Sequence, residues 1–322
     1  MKKLLDVENL EIHFKTEKGY LRAVNGISFF LNEDEVLGVV GESGSGKSVS
    51  MMGMVGLLPK NMGHYISGKV IYNEKDLIKN SDKENSLIRG QEIAFIFQDP
   101  MSSLNPVLSV GSQITETIKR HKKLSKKECR ERALELLELV GISNPSKRFD
   151  EFPHHYSGGM RQRALIAIGL SCEPKILIAD EPTTALDVTI QAQIIDLVLA
   201  LKEKVKMSVI WITHDLGVIA GISDRLQVMY AGKIVEQGIT DSIFEQPKHP
   251  YTRALLGSIP TLDSKDGDEL RPINGTPPDL ILYPDGCPFY ERCASRYSYC
   301  FDKNPPKLKV DNQAHTYSCF VR

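Results

Sequence analysis

The amino-acid sequence has 322 residues, of which 25% are charged, and its acidic and basic side chains nearly cancel to a formal net charge of −1. That length suits one large domain with an appendage, or two domains. The near-neutral balance counts against a nucleic-acid-binding protein, because such a protein gains most of its affinity by neutralising phosphates.

The sequence contains no apolar run near the roughly 18 to 20 residues of a membrane-spanning helix. Asp6, Glu8 and Glu11 interrupt the N-terminal segment before it reaches the length of a signal peptide. We therefore expect a cytosolic chain, whose six cysteines are reduced or metal-bound more often than paired.

The chain begins with predicted β-structure. LLDVENLEIHF and LRAVNGISFFL alternate apolar and polar residues, which predicts two half-buried strands with a turn at EKG between them. The short apolar run EVLGVV predicts a buried strand that leads directly into GESGSGKS, residues 41–48, and the helix SVSMMGMVGLL follows. This is the strand, loop and helix order that a phosphate-binding loop requires.

The octet GESGSGKS fits the pattern G-x-x-x-x-G-K-[ST]. Its glycines let the backbone N–H groups face phosphate oxygens, and the start of the following helix adds its dipole. Lys47 would reach the β- and γ-phosphates, and the Ser48 hydroxyl would ligate Mg²⁺. A glycine-rich connector that matches by chance is the alternative, and the flanking strand and helix count against it. The expected ATP-binding residues here are Gly41, Ser43, Gly44, Ser45, Gly46, Lys47, Ser48 and Val49.

Two adjacent carboxylates follow a second buried strand pattern, KILIAD. Asp180 ends this strand and suits an Mg²⁺ ion through its water shell, whereas Glu181 is placed to orient or deprotonate an attacking water. Taken alone, the pair could be a strand capped by charge. Beside the glycine loop it predicts a nucleotide hydrolase.

The stretch YSGGMRQRALIAIGL, residues 156–170, supplies a second helix start able to bind an anion. Ser157, Gly158 and Gly159 precede its apolar-periodic helix. Upstream, Ser125 and Glu128 form a predicted capping box for a helix that stops at Gly141.

With these motifs in this order over about 240 residues, the sequence resembles the ATPase subunits of ABC (ATP-binding cassette) transporters. The resemblance implies an α/β fold: a P-loop core with a RecA-like parallel sheet, an antiparallel β-subdomain, an inserted helical subdomain and an irregular C-terminal extension. The implied boundaries are residues 1–240 for the ATPase domain, about 99–165 for the helical subdomain, and 241–322 for the extension.

The resemblance also implies roles for single residues. Gln98 matches the Q-loop, which touches Mg²⁺ and the membrane subunits, and His214 matches the switch histidine at the γ-phosphate. The implied Mg²⁺ ligands are Ser48, Gln98 and Asp180. An aromatic residue upstream of the phosphate loop stacks on adenine in the family; Tyr20 is our choice and Phe14 is its rival.

The resemblance implies that one ATP lies between two ATPase domains. Ser157, Gly158, Gly159 and Asp187 would then contact the nucleotide bound to the other domain. The family's usual LSGGQ is YSGGM here, with Tyr156 and Met160 at its ends. Since each motif occurs once, the chain needs a second ATPase domain, either its own copy or, as we expect, a paralogue.

The end of the chain shifts in composition after LQVMYAGKIVEQG, which predicts a hairpin that turns at Ala231-Gly232. HPYTRALLGSIP and the proline-rich segment after it resemble the C-terminal extension of oligopeptide and dipeptide permease ATPases. That resemblance implies peptide import on the cytoplasmic face of a membrane, with two transmembrane permease subunits and, indirectly, a substrate-binding protein. The alternatives are a nickel importer of the same branch, a soluble non-transport ABC ATPase, and a regulatory subunit with little turnover.

Four cysteines, Cys287, Cys293, Cys300 and Cys319, lie in this extension with five, six and eighteen residues between successive members. Four thiolates suit tetrahedral zinc or a [4Fe–4S] cluster, and the C-x₂-C pair usual for zinc is missing. Because members of the resembled branch can carry an iron–sulfur cluster here, we favour that cluster over zinc or unligated thiols. Cys129 and Cys172 stand alone in helical patterns and are expected to be packing residues.

Overall fold

The structure is a computed structural model that describes residues 2–59, 63–184, 186–258, 273–306, 309–310 and 315–320. The chain divides into two compact units. The first unit consists of Met1–Lys79 and Thr213–Arg322, and the second of Asn80–Ile212.

The described strands, in chain order, are β1 (Lys3–Thr16), β2 (Gly19–Asn32), β3 (Val36–Val40), β4 (His64–Tyr72), β5 (Lys75–Asp76), β6 (Ile93–Ile96), β7 (Ile176–Asp180), β8 (Ser208–Thr213), β9 (Arg225–Tyr230), β10 (Lys233–Ile239), β11 (Lys309–Val310) and β12 (Thr316–Tyr317). The described α-helices are α1 (Lys47–Met54), α2 (Asp82–Ile88), α3 (Pro100–Ser103), α4 (Val110–His121), α5 (Lys126–Leu139), α6 (Pro145–Arg148), α7 (Gly158–Leu170), α8 (Val188–Val205), α9 (Leu216–Ile222), α10 (Thr240–Glu245) and α11 (Pro250–Leu256). Single 3₁₀ turns occupy Pro153–His155, Tyr290–Arg292 and Ser298–Cys300.

The first unit contains an antiparallel sheet in the order β2-β1-β4-β5. Its β1–β2 hairpin confirms the two predicted strands, with Lys15 opposite Tyr20 and the turn at Glu17 and Lys18. The unit also contains strands in the order β11-β12-β10-β9-β3, in which β3 and β9 run parallel. The predicted β9–β10 hairpin is confirmed: Ala231 and Gly232 have φ values of 47° and 75°, as a two-residue turn with left-handed backbone requires.

The second unit combines the parallel strands β8-β7-β6 with helices. Strands β7 and β8 are buried along their whole length, as expected where helices cover both faces of a parallel sheet. The helical pattern after residue 99 is confirmed by α3 to α6. The capping box at the start of α5 is confirmed too, and the helix ends before Gly141, which has a φ of 76°.

Candidate ATP site and its link to the C-terminal extension

The phosphate loop connects β3 to α1, as the sequence predicts. Strand β3 is fully buried, so its end fixes where the loop begins. Gly41, Gly44 and Gly46 all have positive φ values, of 153°, 78° and 99°. A Cβ at Gly41 would clash with the Met229 carbonyl oxygen, and one at Gly46 would clash with that of Ala23. The loop therefore needs glycine both for its backbone angles and for close packing.

Polar groups in this loop suit a phosphate ligand. The Lys47 ammonium is buried and donates hydrogen bonds to the carbonyl oxygens of Gly41 (2.7 Å) and Glu42 (3.0 Å). The Ser45 hydroxyl is buried without a hydrogen-bond partner among the described residues. A buried orphan hydroxyl is costly unless a ligand or water pairs with it. Ser48 and Val49 continue the first turn of α1, and Ser43 and Gly44 are exposed on the loop.

The second unit brings Glu181 and Gln98 together. Asp180 is the buried last residue of β7, and Glu181 after it adopts a left-handed φ of 46°. Such a backbone costs a non-glycine residue about 1–3 kcal/mol and often marks a functional position. The Gln98 side-chain amide donates to Glu181 Oε2 at 2.9 Å, and the Thr184 hydroxyl donates to the same oxygen at 3.0 Å. The Glu181 carboxylate is thus oriented by two donors.

The residues expected to act on a second subunit's nucleotide also lie together in the second unit. Ser157 caps α7 by accepting a hydrogen bond from the Met160 backbone, with Gly158 and Gly159 in the first turn. Asp187 caps α8 by accepting from the Ile190 backbone at 3.0 Å. A Cβ at Gly159 would lie 2.8 Å from Ile190 Cγ2, so the α7 start packs directly against the α8 start.

Tyr156, at the first position of the divergent YSGGM motif, is a buried structural residue. It is 2% exposed, and its hydroxyl donates to the Arg148 carbonyl oxygen at 2.9 Å. Burial, with a smaller contribution from Glu151, raises its pKa to about 12. No local pattern predicts this role, because a tyrosine in place of leucine shows only that a large side chain is tolerated.

The remaining predicted ATP-site residues belong to the first unit. His214 is exposed between β8 and α9, beside Asp215, which caps α9 by accepting from Gly217 and Val218. Tyr20 is 55% exposed at the β1–β2 hairpin. Its rival Phe14 contacts the His64 ring at a centroid distance of 6.3 Å, so it already has a packing partner.

The four cysteines of the extension line one small cavity, together with His249 and Phe289 among other residues. All six cysteines lie among the described residues, and none of them forms a disulfide. Burial, and then the neighbouring thiols, raise the pKa of Cys287 to about 11. Cys129 and Cys172 are buried elsewhere, as expected of packing residues.

The metal site expected at these cysteines is not supported by the geometry. Within the described residues, no group of three or more His, Cys, Asp or Glu side chains is arranged to hold a metal ion. The four thiols share a cavity without forming a coordination group. Sequence spacing could not reveal this, since it indicates the number of ligands but not how their side chains converge.

Comparison with known proteins decides the family. A family model described as "ABC transporter" matches residues 24–184, half of the chain. The dipeptide transport ATP-binding protein DppD of Bacillus subtilis is 52% identical over 322 residues, covering 100% of this chain and 96% of DppD. The chain belongs to the ABC transporter family. As an ABC ATPase, it uses ATP with Mg²⁺.

The extension of this ABC ATPase is matched as well. A family model described as "Oligopeptide/dipeptide transporter, C-terminal region" matches residues 235–300. The oligopeptide transport ATP-binding protein OppD of Bacillus subtilis is 52% identical over 316 residues, covering 98% of this chain and 88% of OppD. OppD of Salmonella typhimurium is 45% identical over 317 residues, covering 98% of this chain and 93% of that protein.

Solved structures of cassettes share the fold of this ABC ATPase. A dimeric post-hydrolysis state of the ATP-binding cassette MJ0796, bound to ADP and Pi, has a TM-score of 0.66 and 27% identity. The match covers 73% of this chain and 98% of MJ0796. These comparisons confirm the predicted cassette fold. Among the described residues, no helix combines the length and the apolar composition that a membrane span requires.

One contact of this ABC ATPase could not be predicted from local sequence patterns. Glu42, the second residue of the phosphate loop, forms a bidentate ion pair with Arg292 of the extension, with N···O distances of 2.7 and 2.9 Å. The two residues are 250 positions apart. No local sequence pattern predicts such a pair; the sequence shows only that Arg292 lies between Cys287 and Cys293.

Proposed function

We propose that this chain is the ATP-hydrolysing subunit of an ABC importer of dipeptides or oligopeptides. The observation that carries the proposal is the joint match to the ABC cassette and to the oligopeptide/dipeptide C-terminal region in one chain. Similarity over nearly the whole length to DppD and OppD supports the same conclusion. A nickel importer of the same branch and a soluble ABC ATPase are the alternatives.

In this proposal the phosphate loop binds ATP through its backbone N–H groups and Lys47. Ser48, Gln98 and Asp180 hold Mg²⁺, which neutralises charge on the phosphates. Glu181 accepts the proton of the attacking water, or orients that water for attack. The hydrogen bond from Gln98 supports this role, because it aims the carboxylate and ties it to the residue expected to respond to the membrane subunits. His214 contacts the γ-phosphate, and Tyr20 stacks on adenine.

We further propose that two ATPase subunits close around the nucleotide, with Ser157, Gly158, Gly159 and Asp187 of one subunit facing the phosphate loop of the other. The adjoining starts of α7 and α8 support this, because they bring the Ser157 and Asp187 caps and the two glycines to one place. The second ATPase is a paralogue or another copy of this chain. Both would lie on the cytoplasmic face of the membrane against two permease subunits, which receive peptide from a substrate-binding protein.

Affinity purification from gently solubilised membranes of the native cell tests the transport role. Recovery of two multi-spanning proteins with a second P-loop ATPase supports the importer and identifies the ATPase pair. Recovery from the soluble fraction without membrane proteins contradicts the importer and favours the soluble ATPase. Transport of labelled dipeptide or Ni²⁺ into vesicles that contain the purified complex then separates the peptide importer from the nickel importer.

The variant Glu181→Gln tests the chemistry. We expect it to retain ATP binding and lose about 10²- to 10⁴-fold in kcat, because the amide cannot accept the water's proton. The closed dimer should accumulate with ATP, as measured by size-exclusion chromatography. Glu245→Gln, which removes an exposed carboxylate from α10, is the matched control and should keep full turnover. Unchanged turnover in Glu181→Gln would remove Glu181 from the role of base.

We propose that a [4Fe–4S] cluster is bound by the four cysteines of the extension, Cys287, Cys293, Cys300 and Cys319. The shared cavity and the absence of disulfides at these four described cysteines support the donor set. The lack of a formed coordination group among the described residues counts against it. A bound ion would lower the thiol pKa values and draw the four sulfurs together.

Metal analysis after anaerobic purification tests this assignment. We expect a brown protein with about four iron and four sulfide per chain, and loss of both in Cys300→Ser. Cys129→Ser, in which the changed cysteine is buried in α5 outside this cavity, should retain them. One zinc per chain in a colourless protein would replace the cluster with a zinc site, and the absence of both metals would leave the thiols unligated.

A further inference from the structure

The extension holds the phosphate loop through Glu42. The Arg292 guanidinium donates two hydrogen bonds to the Glu42 carboxylate, at 2.7 and 2.9 Å. The side chains are 5% and 25% exposed, respectively, so the pair is largely shielded from water. Bidentate pairs of this kind are both stronger and more directional than a single hydrogen bond.

Contacts with the extension and with strand β9, rather than with the loop, set the position of Arg292. Its Nε donates to the Asn274 carbonyl oxygen at 3.1 Å, and one terminal nitrogen donates to that of Ile273 at 3.2 Å. The other terminal nitrogen donates to the Tyr230 hydroxyl at 3.3 Å. With every guanidinium nitrogen engaged, Arg292 presents a fixed surface to which Glu42 binds.

The backbone of Glu42 is held by the extension as well. Its N–H donates to the hydroxyl of Tyr251 at 3.0 Å. Tyr251 is fully buried and packs edge-on against Phe289, between Cys287 and Arg292 in sequence. The Glu42 carbonyl oxygen in turn accepts from Lys47. The extension therefore orients the same peptide segment that supports the phosphate-binding lysine.

A carboxylate in a phosphate loop is unfavourable for a polyphosphate ligand, because like charges repel most strongly where water is excluded. Arg292 cancels that charge. We propose that Arg292 is a positioning residue for ATP: it neutralises Glu42 and fixes the loop, so the extension is required for tight nucleotide binding. This inference rests on the proposed role of residues 41–48 as the phosphate site.

Arg292 belongs to the cysteine segment of the extension. It lies between Cys287 and Cys293 and directly precedes Cys293. Whatever fixes the cysteine segment also fixes the guanidinium, and through it the phosphate loop. The C-terminal extension thereby becomes part of the nucleotide site.

A calorimetric titration of the purified full-length chain with Mg·ATP tests the proposal. Arg292→Ala should bind ATP about tenfold more weakly, a typical loss for a charge-assisted contact. Arg292→Lys should bind about threefold more weakly, because lysine keeps the charge but not the two-point geometry. The matched control is Arg296→Ala, in the same segment, whose guanidinium donates to the Glu291 carbonyl oxygen. It should bind as the wild type does, and wild-type affinity in Arg292→Ala would overturn the proposal.

A double variant separates charge from general structural damage. In Glu42→Gln/Arg292→Ala no carboxylate remains to repel the phosphates, so we expect affinity to return to within about twofold of that of Glu42→Gln. Affinity in the double variant as weak as in Arg292→Ala would overturn the electrostatic role. In ATPase assays of the chain with its partner subunits, Arg292→Ala should raise the KM for ATP while kcat stays within about twofold.

Arg292→Lys and Glu42→Gln still test the proposal if Arg292→Ala fails to fold. Glu42→Gln should bind ATP at least as tightly as the wild type, because it removes a negative charge from the phosphate loop. Weaker binding by Glu42→Gln would contradict the charge argument. Lys47→Ala tests the underlying phosphate site. If Lys47→Ala binds ATP with wild-type affinity, the proposed phosphate site is wrong. If Lys47→Ala loses ATP affinity while the Arg292 variants bind normally, only the proposed role of Arg292 is wrong.

Discussion

Within the first unit, strand β3 and the C-terminal extension are held by different forces. Leu37, Val39 and Val40 of β3 are fully buried apolar residues, stabilised by burial and dispersion. The described extension has little regular structure, and directed polar contacts hold it in addition to the buried ring contact between Tyr251 and Phe289. These polar contacts are Arg292 with Glu42, His315 with Glu236, Tyr283 with the Ala231 carbonyl oxygen, and the Leu280 carbonyl oxygen with the Arg22 backbone.

These two kinds of interaction differ in their sensitivity to pH and to substitution. Apolar burial is non-directional and changes little with pH. Buried ion pairs require matched partners and defined protonation states, so removing one partner leaves an uncompensated charge. The extension should therefore respond to pH and to single polar substitutions under conditions in which the core around β3 stays intact.

The largest expected effect is in the core. Leu37→Ala should lower the free energy of unfolding by about 2–5 kcal/mol, because it removes a fully buried side chain and leaves a cavity. Urea denaturation at pH 6 and pH 8 should give the same loss. Leu282→Ala, at a side chain 79% exposed, should cost no more than about 0.5 kcal/mol. Equal losses in the two variants would refute the apolar side of the comparison.

The next effect concerns Glu236, a fully buried carboxylate of β10. It accepts hydrogen bonds from the backbone N–H groups of Lys248 (2.6 Å) and His249 (2.9 Å), and its Oε1 is 2.6 Å from His315 Nε2. Burial by itself raises the pKa of Glu236, but the hydrogen bonds, led by that with His315, outweigh burial and lower it. A lowered carboxylate pKa contributes stability above the unfolded-state value of about 4.3, which is lost as pH falls through the folded-state value.

We therefore expect Glu236→Gln to lower the free energy of unfolding by about 1–3 kcal/mol at pH 7, with the difference from wild type shrinking below about pH 4. Urea denaturation between pH 3 and pH 8 measures this. Burial lowers the pKa of His249 to about 4, so this histidine destabilises both proteins as pH falls from about 6.5 towards 4. The Glu236 carboxylate partly offsets the lowering of the His249 pKa, so the difference between the two proteins isolates Glu236 only above about pH 6.5, where His249 is neutral in both. A difference that stays constant down to pH 3 would contradict the role of the carboxylate.

Whether a region could be predicted from the sequence depends on whether local or distant contacts determine its structure. The phosphate loop, the acidic pair at 180–181, the α5 cap and the Ala231-Gly232 turn could be predicted because each is a local backbone requirement written in adjacent residues. Helix α1 was predicted to extend through Leu58 but ends at Met54, because Gly56, with a φ of 68°, leaves the helical conformation. The pairing of Arg292 with Glu42 and the convergence of the cysteine side chains depend on contacts between distant segments, which spacing alone does not encode.

The smallest effect sharpens the contrast between buried and exposed polar contacts. Ser125 caps α5 by accepting from the Glu128 backbone at 3.3 Å, in an exposed position. Ser125→Ala should cost about 1 kcal/mol, less than the loss of a buried partner, because water can satisfy the freed N–H group. Ser125→Asp, which caps as well as serine, should restore the stability measured by urea denaturation. If aspartate were as destabilising as alanine, capping could not be the source of the loss, and exposed polar contacts would need a different account from the one that explains the buried anchors of the extension.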